Sequence, residues 1–389
     1  MKLMILTSRF PYPLEKGDKL RIYHQIRVLS QKHEIVLCSL TDQSISNEDF
    51  EALKPFCSQV FTFPLTRPGI IWHLIMTIFS GHPFQVGYFF RQSVKKQLDR
   101  ILAAEKPDAV FCQLIRMYPY TQNWDLPLIL DYMDCFSVGM NRRAEHASSW
   151  LRPFFKWEAQ KLSQAEIYAS RQSGVRTIIS EQDRQLLPEE AQAGVSIIPN
   201  GIDTQYFSRK EKPPKPEYLV VFVGNLGYFP NVTAARFLVR KIMPEIWKQI
   251  PDARVLLAGA RPTSGVTILE KDPRVSVSGW VEDIRDAYTQ GEVFVAPLFT
   301  GSGQQNKILE AMAMGIPCVT TPLVNNAIGA ETNTEILLAD TAESFAAQVI
   351  RIYRDKNLHQ TLSNKGVSFV KNHFSWETSV QKLETLLKQ

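Results

Sequence analysis

Residues 292–321 constrain the fold of this chain more than any other stretch. The apolar run Glu292-Val293-Phe294-Val295-Ala296-Pro297-Leu298 leads into a loop holding Gly301 and Gly303. Asn306-Lys307-Ile308-Leu309-Glu310 follows, and a second apolar run comes at Cys318-Val319-Thr320-Thr321. Both runs have the length and character of buried parallel strands. Ile308, Leu309 and Met312 recur at helical spacing, so a helix is expected between them, with Asn306 as its N-cap. Gly315 falls where a left-handed C-cap belongs, and Pro317 stops the helix. Strand, glycine loop, helix and strand put the loop at the carboxyl end of a parallel sheet, where open α/β folds bind ligands.

Gly301 and Gly303 carry no Cβ, so the backbone there is able to curl its N–H groups around an anion. A helix opening behind such a turn adds unsatisfied N–H groups and a positive dipole end. Lys307 brings a full positive charge to that end, and Glu310 lies one turn along, within reach of hydroxyls. The set suits a diphosphate attached to a sugar. The plain alternative is a tight strand–helix connection that binds nothing.

The run Asn306-Lys307-Ile308-Leu309-Glu310-Ala311-Met312-Ala313-Met314-Gly315-Ile316-Pro317 resembles the donor-binding signature of retaining glycosyltransferases of family 4. Three further stretches agree with it. Ile197-Ile198-Pro199-Asn200-Gly201-Ile202-Asp203 resembles that family's interdomain turn, Val221-Phe222-Val223-Gly224-Asn225-Leu226 its second-half opening strand and turn, and Gly279-Trp280-Val281 a later strand end. The resemblance implies an α/β protein of the GT-B fold, two Rossmann-like domains facing across a cleft. It also points to the branch that assembles bacterial polysaccharides.

At 389 residues the chain is too long for one ordinary core and fits two α/β domains. The first is expected over 1–207 on the acceptor side, and the donor-binding second over 208–374. The charged, proline-rich stretch from Ser208 to Pro216 reads as a linker between them. Val380, Leu383, Leu386 and Leu387 give the last helix, about 375–389, one apolar face. The resemblance implies that this helix packs back on the first domain.

The first half opens with Leu3 to Leu6 as a strand, then a helix after Gly17-Asp18 with Leu20, Tyr23, Ile26 and Leu29 as its inner stripe, then a strand over 34–40. Further strands are expected at 109–112, 128–131 and 177–180. No G-x-G-x-x-G accompanies the first unit, which argues against a dinucleotide. The net charge of +5 is not gathered into a basic run, so nucleic acid is not an indicated partner. Five cysteines at no metal-ligand spacing read as small hydrophobes of a reducing compartment. The start of the chain lacks the h-region of a signal peptide, and the apolar window 70–79 is too short to span a bilayer of about 20 residues. It is read as a buried or partly buried helix; the alternative is an interfacial surface with Arg67, His82 and Arg91 beside it. The protein is expected in the cytoplasm, possible peripheral contact being with the inner face of the membrane.

In the resembled family the last Glu of the motif accepts both ribose hydroxyls, and Glu310 matches it. Candidate partners of the diphosphate are Lys307, the backbone from Gly303 to Asn306, and Gly224-Asn225, with Arg261 a weaker addition. The family's usual Arg and Lys after the first glycine turn are absent from Leu226-Gly227-Tyr228-Phe229-Pro230-Asn231. Eight positions before Glu310, where the family often has a second Glu, stands Ser302. Recognition of the transferred sugar then falls to Ser302, Gln304, Gln305 or the backbone.

In the first half, Gly17 and Asp18 match the family's acceptor-side glycine loop, and simple capping by Asp18 is the alternative. Asp131 and Asp134 end an apolar strand and are candidates for orienting the acceptor hydroxyl or the donor sugar. The alternative for Asp134 is a cap on Ser137. The family's His near this place has no counterpart.

These readings converge on retaining transfer of a sugar from a nucleoside diphosphate sugar to a glycan or lipid-linked acceptor. Lys307, Glu310 and Asp134 are its catalytic candidates; no metal and no other cofactor is expected. Two rivals stay open: an epimerase of the same fold, and a non-catalytic partner of a transferase.

Overall fold

The computed structural model describes residues 1–145, 147–172, 174–208, 218–300 and 304–387. The chain divides into two compact units, one of Met1–Pro199 together with the chain from Ser379 on, the other Asn200–Thr378. The division falls at Asn200, inside the Ile-Pro-Asn-Gly turn. Of the expected linker, only Ser208 lies within the described residues.

The first unit is built on a seven-stranded sheet. Its strands are β1 (Lys2–Thr7), β2 (Glu34–Thr41), β3 (Gln59–Pro64), β4 (Ala109–Gln113), β5 (Leu128–Met133), β6 (Val175–Ile178) and β7 (Val195–Ile197). The order is β3-β2-β1-β4-β5-β6-β7, every pair parallel. Leu3 to Leu6 on the central β1 are wholly buried, as a strand covered by helices on both faces requires. The expected strand at 177–180 begins two residues earlier; Ser180 instead caps the next helix, its Oγ accepting from the Asp183 N–H.

The unit's first helix departs from the sequence reading. Helix α1 (Gly17–Leu29) buries Arg21, Ile22, Gln25, Ile26 and Leu29, while Leu20 and Tyr23 are only half buried. The expected stripe was drawn from apolar spacing, and the buried face turns instead on Arg21. Its guanidinium meets Asp131 on β5 at 2.7 Å (Nε to Oδ2) and 3.2 Å, with neither side chain exposed. Helix α2 (Arg67–Ser80) is partly buried: Ile70 and Thr77 face the protein, while Trp72 is 61% and Phe79 80% exposed. It packs on α3 (Phe84–Phe89), where a Cβ on Gly87 would overlap the Thr77 hydroxyl. Glu158 on α4 (Arg152–Gln172) accepts from the N–H groups of Phe84 and Gln85 and so holds the start of α3.

The second unit repeats the plan with six parallel strands: β8 (Leu219–Val223), β9 (Arg254–Ala258), β10 (Val275–Gly279), β11 (Val293–Ala296), β12 (Cys318–Thr320) and β13 (Leu337–Leu338). Their order is β10-β9-β8-β11-β12-β13, which makes both units Rossmann-like. Strand order reverses between β8 and β11, so the loops after these two strands flank the crevice where such sheets take ligands. Helices α5 (Phe229–Phe237), α6 (Ile284–Gln290) and α7 (Asn306–Ala313) stand around this edge. Helix α8 (Trp376–Leu387) closes the chain. Trp376 is buried against Gly201, where a Cβ would overlap the Trp376 ring, and Phe374 accepts from the Ile202 N–H at 2.6 Å. From Ser379 onward the helix belongs to the first unit, where Val380 and Leu383 are buried and Glu384 pairs with Lys32 at 2.8 Å.

Candidate functional site

The glycine turn after β8 is fixed by backbone contact. Gly224 donates to the Ala258 carbonyl at 2.9 Å and Leu226 to that of Ala260 at 2.8 Å, so the ends of β8 and β9 run side by side. A Cβ on Gly259 would overlap the Gly224 carbonyl, which only glycine at φ +139° avoids. Asn231, buried at the first turn of α5, donates through Nδ2 to the Asn225 carbonyl at 3.0 Å. Its Oδ1 accepts from Lys307 Nζ at 2.6 Å. The glycine turn, α5 and the lysine of α7 are thus linked through one amide side chain.

Helix α7 begins at Asn306, with Gln305 as its N-cap, one residue earlier than expected. Its other end closes as the sequence suggests. Gly315 has φ +68°, donates to Met312, and is followed by Ile316 donating to Ala311, the paired bonds of a Schellman cap. Lys307 and Glu310 share a face at helical spacing. Lys307 Nζ lies 5.6 Å from the Phe222 ring centroid, and burial pushes its pKa down to about 8, the Glu310 charge opposing. The Tyr288 hydroxyl donates to Glu310 Oε2 at 2.8 Å, with the Lys307 carbonyl 3.1 Å from the same hydroxyl oxygen. Burial raises the Glu310 pKa, against the lowering effects of Tyr288 and Lys307. Glu310 Oε1 has no hydrogen bond among the described residues. Asn306 Oδ1 is buried without a partner among them.

Other donor-side expectations fare differently. Ser302 and Gly303 lie outside the described residues. The Gln304 amide clips the backbone of Asn200, accepting from N at 2.9 Å and donating to O at 2.8 Å. Gln305 contributes its carbonyl to the first turn of α7, accepting from Ile308 at 3.0 Å. Arg261 is exposed, yet its backbone runs against Gly227, where an added Cβ would be 3.0 Å from the Arg261 carbonyl.

In the first unit the carboxyl edge gathers Gly17, Asp18 and the loops after β4 and β5. Asp18 does not cap α1, which begins one residue before it; its Oδ2 accepts from Arg9 at 2.6 Å. Gly17 is exposed beside Met133, whose Cε would lie 3.4 Å from an added Cβ. Asp131 cannot touch an acceptor, because it is wholly buried and spent on Arg21 and on Thr177 at 2.9 Å. Asp134 is open to solvent at the end of β5, and the surrounding protein, then the charge of Asp183, pushes its carboxyl up to about 6. It does not cap Ser137, whose N–H and hydroxyl are both taken by Glu166, at 3.1 and 2.7 Å.

Four participants escaped the sequence reading: Tyr288, the lysine-holding role of Asn231, and the pair Arg9 and Arg116. Both arginines lie over the Phe89 ring, at 5.8 and 5.3 Å, and Arg116 binds the neutral Gln85 at 2.6 Å. Burial, then the Arg9 charge, lowers the Arg116 pKa to about 10. None of the four sits in a recognisable motif. Among the described residues no group of His, Cys, Asp and Glu is placed to hold a metal ion.

Residues 217–355 match the family model described as glycosyl transferases group 1. This chain is a glycosyltransferase. An uncharacterised 44.6 kDa protein of the cps region of Klebsiella pneumoniae is 20% identical to the transferase over 388 residues, 96% of each chain. The UDP-Gal:α-D-GlcNAc-diphosphoundecaprenol α-1,3-galactosyltransferase of Escherichia coli is 23% identical over 246 residues, 57% of this chain and 62% of that protein. The fold is shared with sucrose-phosphate synthase from Thermosynechococcus elongatus, at a TM-score of 0.70 and 16% identity over 100% of this chain and 99% of that one. The two Rossmann-like units of the transferase are those of the GT-B class. These relatives do not favour the epimerase or the non-catalytic partner.

Proposed function

We propose that this glycosyltransferase moves a sugar, with retention, from a nucleoside diphosphate sugar to a glycan or lipid-linked acceptor in cell-surface polysaccharide assembly, as a family 4 enzyme at the cytoplasmic face of the membrane. The observation that carries the proposal is the placement of Lys307 and Glu310 on one face of α7, held by Asn231 and Tyr288 at the carboxyl edge of a parallel sheet. The similarity to a transferase acting on a diphosphoundecaprenol-linked sugar supports a lipid-linked acceptor. No described helix is long and apolar enough to cross a membrane, so contact with a bilayer would be made by a surface.

In this reading Glu310 Oε1 accepts a ribose hydroxyl while Tyr288 holds Oε2. Lys307, with the N-terminus of α7 and the Gly224 turn, meets the diphosphate. As the bond from the anomeric carbon to the diphosphate oxygen breaks, negative charge grows on the leaving group where Lys307 stands. The acceptor oxygen bonds to that carbon on the same face, and its proton passes to the departing phosphate oxygen. The protein supplies position and field rather than a nucleophile, and no metal is required. Asp134, solvent-open at the end of β5, orients the acceptor hydroxyl.

The test is release of nucleoside diphosphate from a panel of nucleotide sugars, with and without cell lipid extract. Release stimulated by the extract, with the sugar recovered on lipid in the donor's anomeric configuration, is expected. A free epimerised sugar nucleotide, or no turnover of any donor, would return the reading to the rivals above.

A further inference from the structure

Two cavities of 360 and 320 Å3 lie side by side in the first unit and share His82, Val86, Pro119 and Gln122 as a common wall. They form one trough between helices, in the size range of small-ligand sites, about 300–1,000 Å3. At one end it is lined by Met76, Thr77 and Phe90; at the other by Lys161, Gln164 and Tyr168. The wall is apolar at Val86, Ile115 and Pro119 and turns polar towards Lys161. Ile115 also brings the trough to the carboxyl end of β4, since the next residue, Arg116, belongs to the cationic edge described above.

The apolar end opens on an unusual surface. Along α2, Ile71, Trp72, Ile75, Ile78 and Phe79 are exposed, and Met76 both lines the trough and is 46% exposed. Such a contiguous apolar face, carrying a tryptophan and with the exposed Arg67 at the start of the same helix, has the composition of a surface that meets anionic lipid. Arg91, expected as a further basic neighbour, is buried, its guanidinium donating to the carbonyls of Gly87 and Phe90. Because Met76 belongs to both, a hydrocarbon chain held at α2 reaches the trough without crossing water.

We infer that the trough beneath α2 seats the hydrocarbon chain of an isoprenoid phosphate, with Lys161 at the polar end to meet its phosphate. This rests on the reading of the acceptor as lipid-linked and names the part of the protein that would hold the lipid. A long apolar chain gains free energy along Val86, Ile115 and Pro119, and a phosphate there gains a cation.

The test uses the full chain and a farnesyl monophosphate bearing a benzophenone at the far end of its chain, with labelled peptides mapped by mass spectrometry. Labelling is expected at α2, α3 or the 115–122 loop. Gln122→Trp, at the junction of the two cavities, and Ala165→Trp, in the larger one, should each lower it about tenfold, the order of one well-made apolar contact. Unfolding temperatures identify a variant that fails to fold, and the other then decides. Lys161→Ala should weaken labelling by the phosphate while sparing the uncharged alcohol. Labelling that maps elsewhere, or that both tryptophans leave unchanged, overturns the proposal, as does a dimer that buries α2 in solution. Release of nucleoside diphosphate by the same samples in cell lipid extract is read separately: its absence would count against the transferase reading, while the labelling still decides the trough.

Discussion

The Tyr288 hydroxyl donates to Glu310 Oε2 at 2.8 Å from a ring that is itself fully buried, so the carboxylate is aimed before any ligand arrives. Preorganisation of this kind removes an ordering cost from binding. Glu310→Ala is expected to weaken binding of the donor nucleotide by roughly 1.5–3 kcal/mol, the worth of hydrogen bonds to a charged group. Tyr288→Phe should cost less, and the double variant should cost less than the sum, because both changes act on one carboxylate. Calorimetry with the nucleoside diphosphate measures all three; strict additivity would separate Tyr288 from the site.

The pH dependence of donor capture should carry the signature of Lys307. With its pKa at about 8 in the ligand-free protein, the side chain loses its charge as pH rises through that value. kcat/KM, which reports the free enzyme, should fall about tenfold per pH unit above it. Lys307→Arg should move this limb upward, since a guanidinium stays charged. Stability runs the other way: the unfolded chain binds this proton more tightly, so the protein gains stability from about pH 8 towards the ordinary lysine pKa. Lys307→Met should therefore raise the melting temperature at pH 7 while lowering turnover. A profile identical to that of the parent protein would remove Lys307 from the diphosphate.

The two aspartates of β5 should separate cleanly. Asp131→Ala strands Arg21 without its counter-charge in the core and should cost about 3–5 kcal/mol of stability by chemical denaturation. Asp134→Asn should raise stability at pH 7, since it removes a carboxylate whose charged form the fold disfavours, and should abolish an acid limb of kcat/KM near pH 6, the value to which its carboxyl is raised. Retention of that limb in Asp134→Asn would assign it to another group.

Transfer should persist in excess chelator, because Lys307 and the first turn of α7 supply the field that a divalent ion supplies elsewhere. Activity lost in chelator and restored by magnesium or manganese would overturn this mechanism.

The donor motif was legible because its parts are local. Gly315, Lys307 and Glu310 lie within ten residues of sequence, and helical spacing alone brings the last two to one face. Tyr288 and Asn231 were not legible, since they reach the same helix from separate elements and carry no pattern of their own. Apolar spacing also misled where a charge is buried. Arg21 and Asp131 are 110 positions apart, and no rule of periodicity pairs them. The exposed face of α2 shows the converse: an apolar run says how hydrophobic a helix is, not whether its own chain covers it.

The packing of Trp376 on Gly201 has a consequence for synthesis. The turn at 200–202 leaves the ribosome long before the indole of Trp376 that fills its open side. The first unit waits as well, since the helix from Ser379 on completes it. Nascent chains usually settle domain by domain from the N-terminus. Here neither unit is finished until residues 376–387 emerge, so a stall before them would leave two incomplete halves rather than one folded and one missing.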